Sequence, residues 1–359
     1  MKVLVTGGCG FIGSALIHEL LARPDFSVVN LDKLTYAANP ASLAALENEP
    51  RYRFEHTDIC ARAAVEKIFA DHCPDAVINL AAESHVDRSI DGPETFLQTN
   101  VVGTHVLLEV ARAYWAALDS SAQTAFRFLQ VSTDEVFGDL PPGVRAREDA
   151  PYAPGSPYAA SKAAADHMTM AWHRTYGLPV LLSNCTNNYG PRQFPEKLIP
   201  LMILNAFERK PLPVYGDGAQ VRDWLHVEDH ARALITILSG GQVGERYNVS
   251  AACEKPNIDV VRLICRQVDK LDSRPDGAGR DTLIDHVPDR PGHDRRYALD
   301  ASRLHNELGW APELDFEDGL AATIHWYRDN PTWWKDLRQS TYAGERLGLS
   351  TAVASEAGQ

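Results

Sequence analysis

Residues 2–13 read KVLVTGGCGFIG, and the fold turns on this stretch. Residues 2–6 are a short apolar, β-branched run. Glycines at 7, 10 and 13 follow in G-x-x-G-x-x-G spacing, and FIGSALIHELLA (11–22) then shows helical spacing. A strand that breaks into a glycine turn and then a helix is the unit that holds a dinucleotide. The turn must be tight, the backbone must come close to a pyrophosphate, and the helix N-terminus must face the phosphates. Glycine spacing alone is a weak signal. It gains force from an acidic residue ending the next strand, roughly 20 residues on. FSVVNLD (26–32) supplies one in Asp32, which can accept both ribose hydroxyls and would repel a 2′-phosphate. The expected cofactor is therefore NAD, held by Gly7, Gly10, Gly13 and Asp32. Asp58 and Ile59, in HTDIC (56–60) at the end of a third strand, are placed for the adenine ring.

Working outward, strand-length apolar runs recur at DAVINLAA (75–82), FRFLQVST (126–133), PVLLSNCTN (179–187) and ERYNVS (245–250). Helical stretches separate most of them, among them 99–118 and 159–177. Strands alternating with helices over such a length imply an α/β fold: a doubly wound, Rossmann-like parallel sheet buried on both faces. Beyond residue 187 the rhythm changes, with turn-rich stretches at 187–200, 208–224, 272–281 and 287–296. They imply a smaller mixed α/β lobe over the carboxyl ends of the strands, where open α/β sheets bind ligands. The expected division is 1–186 plus about 224–250 for the NAD domain, and 187–223 with 251–345 for the substrate lobe. The small, polar end, 346–359, is expected to be a frayed tail.

The chain has 359 residues, 45% hydrophobic and 23% charged, enough for a sizeable core. A net charge of -13 argues against a nucleic-acid surface, which needs a basic patch. The six cysteines are scattered without a CxxC pair, which reads as buried thiols in a reducing compartment. No run approaches the roughly 18 apolar residues that span a bilayer, and a cytoplasmic protein is expected. The histidines lie far apart, and no metal site is expected.

SPYAASKAAADH (156–167) places Tyr158 and Lys162 at i, i+4, on one helix face. A lysine ammonium beside a phenol favours the phenolate and is expected to pull its pKa down towards neutrality. Such a tyrosine can take a hydroxyl proton while hydride leaves the same carbon. A YxxxK pair is common on helices. Following a dinucleotide loop and VSTDE (131–135), it resembles the extended short-chain dehydrogenase/reductase family, in which Thr133 would complete a triad.

Longer blocks narrow the resemblance. NLAAESHVDRSI (79–90), STDEVFGDL (132–140), NNYGPRQFPEKLIP (187–200), QVRDWLHVEDH (220–230) and DRPGHDRRYALD (289–300) are similar to the dTDP-glucose 4,6-dehydratases. That resemblance implies a hydro-lyase with tightly bound NAD that converts dTDP-D-glucose to dTDP-4-keto-6-deoxy-D-glucose and water. A C4 ketone makes the C5 proton removable, and elimination then needs one base and one acid close together. By resemblance Glu135 is the base and Asp134 the acid. It also implies cofactor contacts from Phe11, Ile12, Lys33, Leu34, Thr35, Leu80, Ala81, Ala82, Ser84, Thr99 and Asn188, with Tyr158 and Lys162. Ser84, Thr133 and Asn187 would hold the sugar, next to Glu196, Lys197 and Leu198. Pro213, Val214 and Tyr215 would form the thymine wall. Arg222, Asn257, Arg290 and His293 would meet the diphosphate, for which arginine's fork is suited. Arg295, Arg296 and Tyr297 stay ambiguous.

Rivals of the same fold are a nucleotide-sugar 4-epimerase and a UDP-glucuronate decarboxylase, which typically lack an aspartate at the position of Asp134. A non-catalytic NAD-binding regulator would tend to lose Tyr158 or Lys162. The family's usual homodimer would pair helix 95–118 and the helix carrying Tyr158 in a four-helix interface. No nucleic acid or membrane partner is expected.

Overall fold

The computed structural model describes residues 1–340, 342 and 347; most of the expected tail, 346–359, lies outside the described residues. Seven strands form the central sheet: β1 (Lys2–Thr6), β2 (Ser27–Asp32), β3 (Tyr52–His56), β4 (Ala76–Asn79), β5 (Arg127–Thr133), β6 (Val180–Cys185) and, from late in the chain, Arg246–Val249. All pair in parallel, in the order Arg246–Val249, β6, β5, β4, β1, β2, β3. The order reverses between β1 and β4, so their connections leave to opposite faces and open a crevice at the carboxyl ends of the strands.

Alternation within each strand fills both faces, because neighbouring side chains point opposite ways. Val3, Val5 and Ile78 pack with Leu16 and Leu20 of α1 (Phe11–Leu21), and with Ile235 and Leu238 of the helix Val227–Gly240. Leu4, Val77 and Phe128 pack on the other face with Phe69, Leu107 and Met170. The strands therefore read as continuous apolar runs, as strands covered on two sides do.

In the second lobe, β9 (Val221–His226) pairs in parallel with β7 (Asn187–Tyr189) and antiparallel with Glu254–Pro256. Leu212–Tyr215, here β8, pairs in parallel with Ile284–Val287. A separate core of Ile203, Leu204, Val260, Ile264, Leu320 and Tyr327 lies under these short strands. Within it Arg280 is fully buried. It binds Asp269 at 2.7 Å, Asp272 at 2.6 Å and the Ala206 carbonyl at 2.7 Å, which ties down the turn-rich stretch 272–281.

The helix expected over 95–118 is not continuous. Pro93–Phe96 is α-helical, Leu97–Gly103 is π-helical, and an α-helix resumes over Thr104–Ala116. The wide turn directs Asn100 inward, where it donates to Ser161 Oγ (2.8 Å) and the Glu83 carbonyl (3.0 Å). π-turns of this kind recur at functional sites. A period read at 3.6 residues cannot reveal one. The cysteines are free, but Cys73 is exposed and Cys60 and Cys253 are half-buried, so only Cys9, Cys185 and Cys265 match the expected buried thiols.

Candidate active site

The glycine loop sits at the crevice. Gly7 has φ +71°, and a Cβ there would lie 2.9 Å from the Ala81 backbone; a Cβ on Gly13 would lie 2.2 Å from the Gly7 carbonyl oxygen. Only hydrogen fits, so loop, α1 and the end of β4 close on one another and leave bare backbone towards the cleft. Asp32 ends β2 and is buried. Its Oδ2 accepts from Cys9 N (2.9 Å) and its Oδ1 from Leu34 N (2.8 Å), which fixes the plane of the carboxylate. Burial raises its pKa, and those two N–H groups oppose the rise.

One cleft is lined by Gly7, Gly10, Phe11, Ile12 and Gly13, then by Asp32, Lys33, Thr35 and Ile59. Leu80, Ala81, Ala82, Ser84, Thr99, Tyr158, Lys162 and Asn188 line it further along. Two expected contacts do not. Leu34 has φ +55° where the chain doubles back, and its N–H is spent on Asp32. Asp58 turns to Lys33 at 3.7 Å and caps Cys60 N at 2.8 Å. A dinucleotide fits this donor set: a glycine cradle, a fixed carboxylate on one side, and a buried hydroxyl–phenol–ammonium cluster at the far end.

That cluster is built where β5 runs towards the helix Pro157–Tyr176, which starts with Ser156 as N-cap and Pro157 in its first turn. Tyr158 is buried edge-on to Phe96. The Thr133 hydroxyl donates to Asp134 Oδ1 (3.2 Å) and accepts from Glu135 N (3.3 Å), beside the phenol in the same cleft. Lys162 Nζ donates to the Val131 carbonyl at 2.7 Å. The shift of the phenol runs opposite to the expected lowering. Burial pushes Tyr158 well above its ordinary value and the Glu135 charge adds to the rise, while burial lowers Lys162 itself. Desolvation outweighs attraction to an ammonium already engaged by a carbonyl.

The two neighbouring carboxyls are driven apart. Asp134 is 3% exposed, and burial followed by the Glu135 charge raises its pKa well above the usual carboxylate range. Glu135 is raised by burial too, but Arg290, Arg222 and Lys197 pull it back. Both carboxyls are shifted upward, Asp134 further, so Asp134 is the better placed of the two to hold a proton. Asp134 Oδ2 and Glu135 Oε2 are buried without a hydrogen-bond partner among the described residues.

A second cavity meets the first at Glu135, Asn187, Glu196 and Lys197, which line both. Leu198, Pro213, Val214, Tyr215, Arg222, Asn257, Arg290 and His293 line the second alone, whereas Ser84 and Thr133 open onto the cofactor cleft. Arg222 is fixed by the Val221 (2.9 Å) and Asp294 (3.0 Å) carbonyls, with its guanidinium over the Tyr297 ring at 4.3 Å. Asn187 Oδ1, Asn257 Oδ1 and Arg290 Nε are buried and lack partners among the described residues. Orphaned polar atoms facing a cavity are expected where a polar ligand completes them. His293 accompanies Tyr215 edge-on, and burial lowers its pKa to about 4.

Glu196 lines both cavities and is also held from behind. Tyr36 donates to it at 3.0 Å and Arg88 at 3.0 Å, so its carboxylate braces two segments of the NAD-binding half. Lys197 donates to the Ser84 carbonyl at 3.0 Å. Among the ambiguous residues, Tyr297 lines the second cavity, Arg295 pairs with Asp217 at the surface, and Arg296 is buried against Glu254. Sequence reading misses Asp87, although it lies inside the quoted stretch 79–90. It lines the second cavity, holds Arg290 Nη1 at 2.8 Å and accepts from the Tyr215 hydroxyl at 3.0 Å. No charge rule selects a carboxylate for a site expected to take an anion.

Comparison with known proteins matches this geometry. Residues 4–323 match the family model described as GDP-mannose 4,6 dehydratase. A dTDP-glucose 4,6-dehydratase of Escherichia coli is 56% identical over 97% of this chain and 99% of its own. The structure of a dTDP-glucose 4,6-dehydratase from Streptomyces venezuelae, solved with NAD and TYD bound, superposes with a TM-score of 0.86 at 44% identity, covering 94% of this chain and 100% of that one. A UDP-glucose 4-epimerase from Thermus thermophilus, solved with NAD, shares the fold at a TM-score of 0.80 but only 29% identity, over 92% of this chain and 100% of that one. With near-complete coverage, the higher identity and Asp134 in place, the chain belongs to the dTDP-glucose 4,6-dehydratase family of NAD-dependent nucleotide-sugar enzymes.

Proposed function

We propose that the junction of the two cavities is where dTDP-D-glucose is dehydrated to dTDP-4-keto-6-deoxy-D-glucose, with the protons moved by Tyr158, Glu135 and Asp134. The observation that carries this reading is the adjacent carboxyl pair: buried Asp134 in the cofactor cleft, its pKa raised the further, beside half-buried Glu135, which lines both cavities and feels the charges of Arg290, Arg222 and Lys197. NAD, which Gly7, Gly10, Gly13 and Asp32 would hold, would supply a hydride acceptor for C4 and the hydride donor for C6, with no net change in its oxidation state. Tyr158 takes the C4 hydroxyl proton, with Thr133 beside the phenol. Lys162 anchors the helix to β5 through Val131 and contributes a positive charge. Glu135 then removes the C5 proton, made acidic by the C4 ketone, and Asp134 protonates the departing C6 hydroxyl. A 4-epimerase needs no such acid, so Asp134 favours elimination over that alternative. Arg222, Arg290 and Asn257 are assigned to the diphosphate, and the Pro213–Tyr215 wall with His293 to its nucleoside end.

The test is direct. Purified protein incubated with dTDP-glucose, without added NAD, should yield the alkali-induced ultraviolet absorbance of a 4-keto sugar. Absence of that signal even with NAD added would refute the assignment.

The same reading divides the chain into an NAD domain, 1–186 with about 224–250, and a substrate lobe, and makes the protein a cytoplasmic homodimer. No described helix is long and apolar enough to cross a membrane. The dimer reading rests on an apolar face: Leu97 and Val102 are 54% and 42% exposed, and Ala160, Ala171 and Tyr176 are exposed on the neighbouring helix. Side-by-side packing of the two helices makes this one surface, and four helices in the dimer would cover it. Sedimentation should give twice the chain mass, and a charged residue at Val102 should shift it to the monomer.

A further inference from the structure

Asp87 presents a puzzle. It is a buried carboxylate, 4% exposed, in the wall of a cavity assigned to a diphosphate. It comes from the short helix Val86–Asp91 of the NAD-binding half, and both its partners come from the other lobe. Oδ1 takes Arg290 Nη1 at 2.8 Å, and Oδ2 takes the Tyr215 hydroxyl at 3.0 Å. Tyr215 belongs to the wall assigned to the thymine, Arg290 to the groups assigned to the diphosphate. One carboxylate therefore touches both halves of nucleotide recognition and crosses the gap between the lobes.

Its charge also matters to the base. Glu135 feels the charges of Arg290, Arg222 and Lys197, opposed by that of Asp294, and its own charge acts on Asp134 next to it and on the phenols of Tyr158 and Tyr297. Arg290 is the strongest of the three cations acting on it. Asp87 itself faces Arg290, the Tyr215 hydroxyl and Lys197. By pairing with Arg290 it offsets one positive charge that would otherwise act on Glu135 undiminished, and it leaves Arg290 Nε free of a partner among the described residues.

Resting on the function proposed above, we infer that Asp87 is a positioning residue for this reaction: it sets Tyr215 and Arg290 for the nucleoside diphosphate and keeps Arg290 from over-stabilising the ionised form of Glu135. Removing its charge exposes Glu135 to the full Arg290 cation, which favours the carboxylate and moves its titration to lower pH.

The test compares Asp87→Asn with Tyr215→Phe. dTDP binding is measured by calorimetry, which requires no turnover, and the pH profile of kcat/KM reports the groups of the free enzyme. Asp87→Asn should weaken dTDP about tenfold or more, since a buried charge pair loses one partner. Its acid limb in kcat/KM should move to lower pH. Tyr215→Phe removes the phenol bond to Asp87 and keeps the Asp87–Arg290 pair, so it should weaken dTDP while leaving that limb in place. Wild-type dTDP affinity in Asp87→Asn, or an acid limb that stays put, overturns the inference. Should Asp87→Asn fail to fold, unchanged dTDP affinity in Tyr215→Phe overturns it instead. A wild-type protein that binds dTDP but leaves dTDP-glucose intact refutes the function and not the role of Asp87.

Discussion

The Asp134→Asn protein should exchange the C5 hydrogen of dTDP-glucose with solvent deuterium yet release almost no 4-keto-6-deoxy product. The amide keeps the shape of the side chain and can still take the Thr133 hydroxyl contact, but it has no proton to give to the C6 oxygen. Loss of a positioned general acid lowers kcat by about 10²- to 10⁴-fold. Oxidation at C4 and proton removal by Glu135 do not need Asp134, so exchange at C5 persists. The pH dependence carries the same signature. Burial and Glu135 hold the Asp134 pKa up, so the active, protonated form is lost as pH rises through that value, and the variant should lose this alkaline limb. Stability should move in the opposite direction from activity. A buried carboxyl with a raised folded pKa contributes stability that is complete below its unfolded pKa and lost as pH rises through the folded one. An amide escapes that loss, and thermal melting at neutral pH should find the variant at least as stable as the wild type. Wild-type turnover, or a melt well below it, would sink the acid role.

Tyr158→Phe should behave differently: neither product nor C5 exchange. Without a group to take the C4 hydroxyl proton no ketone forms, and the C5 hydrogen stays too weak an acid for Glu135. The expected fall in kcat is again about 10²- to 10⁴-fold, with dTDP affinity within a factor of a few of the wild type. The phenol oxygen carries none of the hydrogen bonds that hold the helix to β5, and the ring keeps its edge contact with Phe96. The scaffold should therefore survive. Burial and the Glu135 charge raise the phenol pKa, and a cationic cofactor ring, if held beside it, would favour the phenolate. Residual C5 exchange at the level of the Asp134 variant would remove Tyr158 from the first step.

These expectations mark which parts of the site the sequence could disclose. Local signals suffice where the chemistry is local. The turn at Gly7 to Gly13 and the end of β2 at Asp32 follow from strand, glycine and helix in immediate succession, and their clash distances show why other residues do not fit. Thr133, Asp134 and Glu135 are consecutive, and Tyr158 and Lys162 share one helical turn. By contrast, the direction of the Tyr158 titration runs against what that spacing suggests. Spacing brings the lysine near, but burial and the Val131 carbonyl, which is remote in sequence, decide its effect. The π-turn at Leu97–Gly103 and the bracing of Glu196 by Tyr36 and Arg88 are invisible for the same reason.

The sequence by itself determined a doubly wound NAD fold, because strand, glycine turn and helix follow one another directly, and its resemblance to a family singled out candidate proton-transfer groups and arginines for a diphosphate. Only the tertiary structure showed that burial and neighbouring charge raise Asp134 further than Glu135, and that Asp87 reaches across the lobes to Tyr215 and Arg290. Charge and burial at a site are sums over residues a hundred or more positions apart, and those sums exist only once the chain has folded.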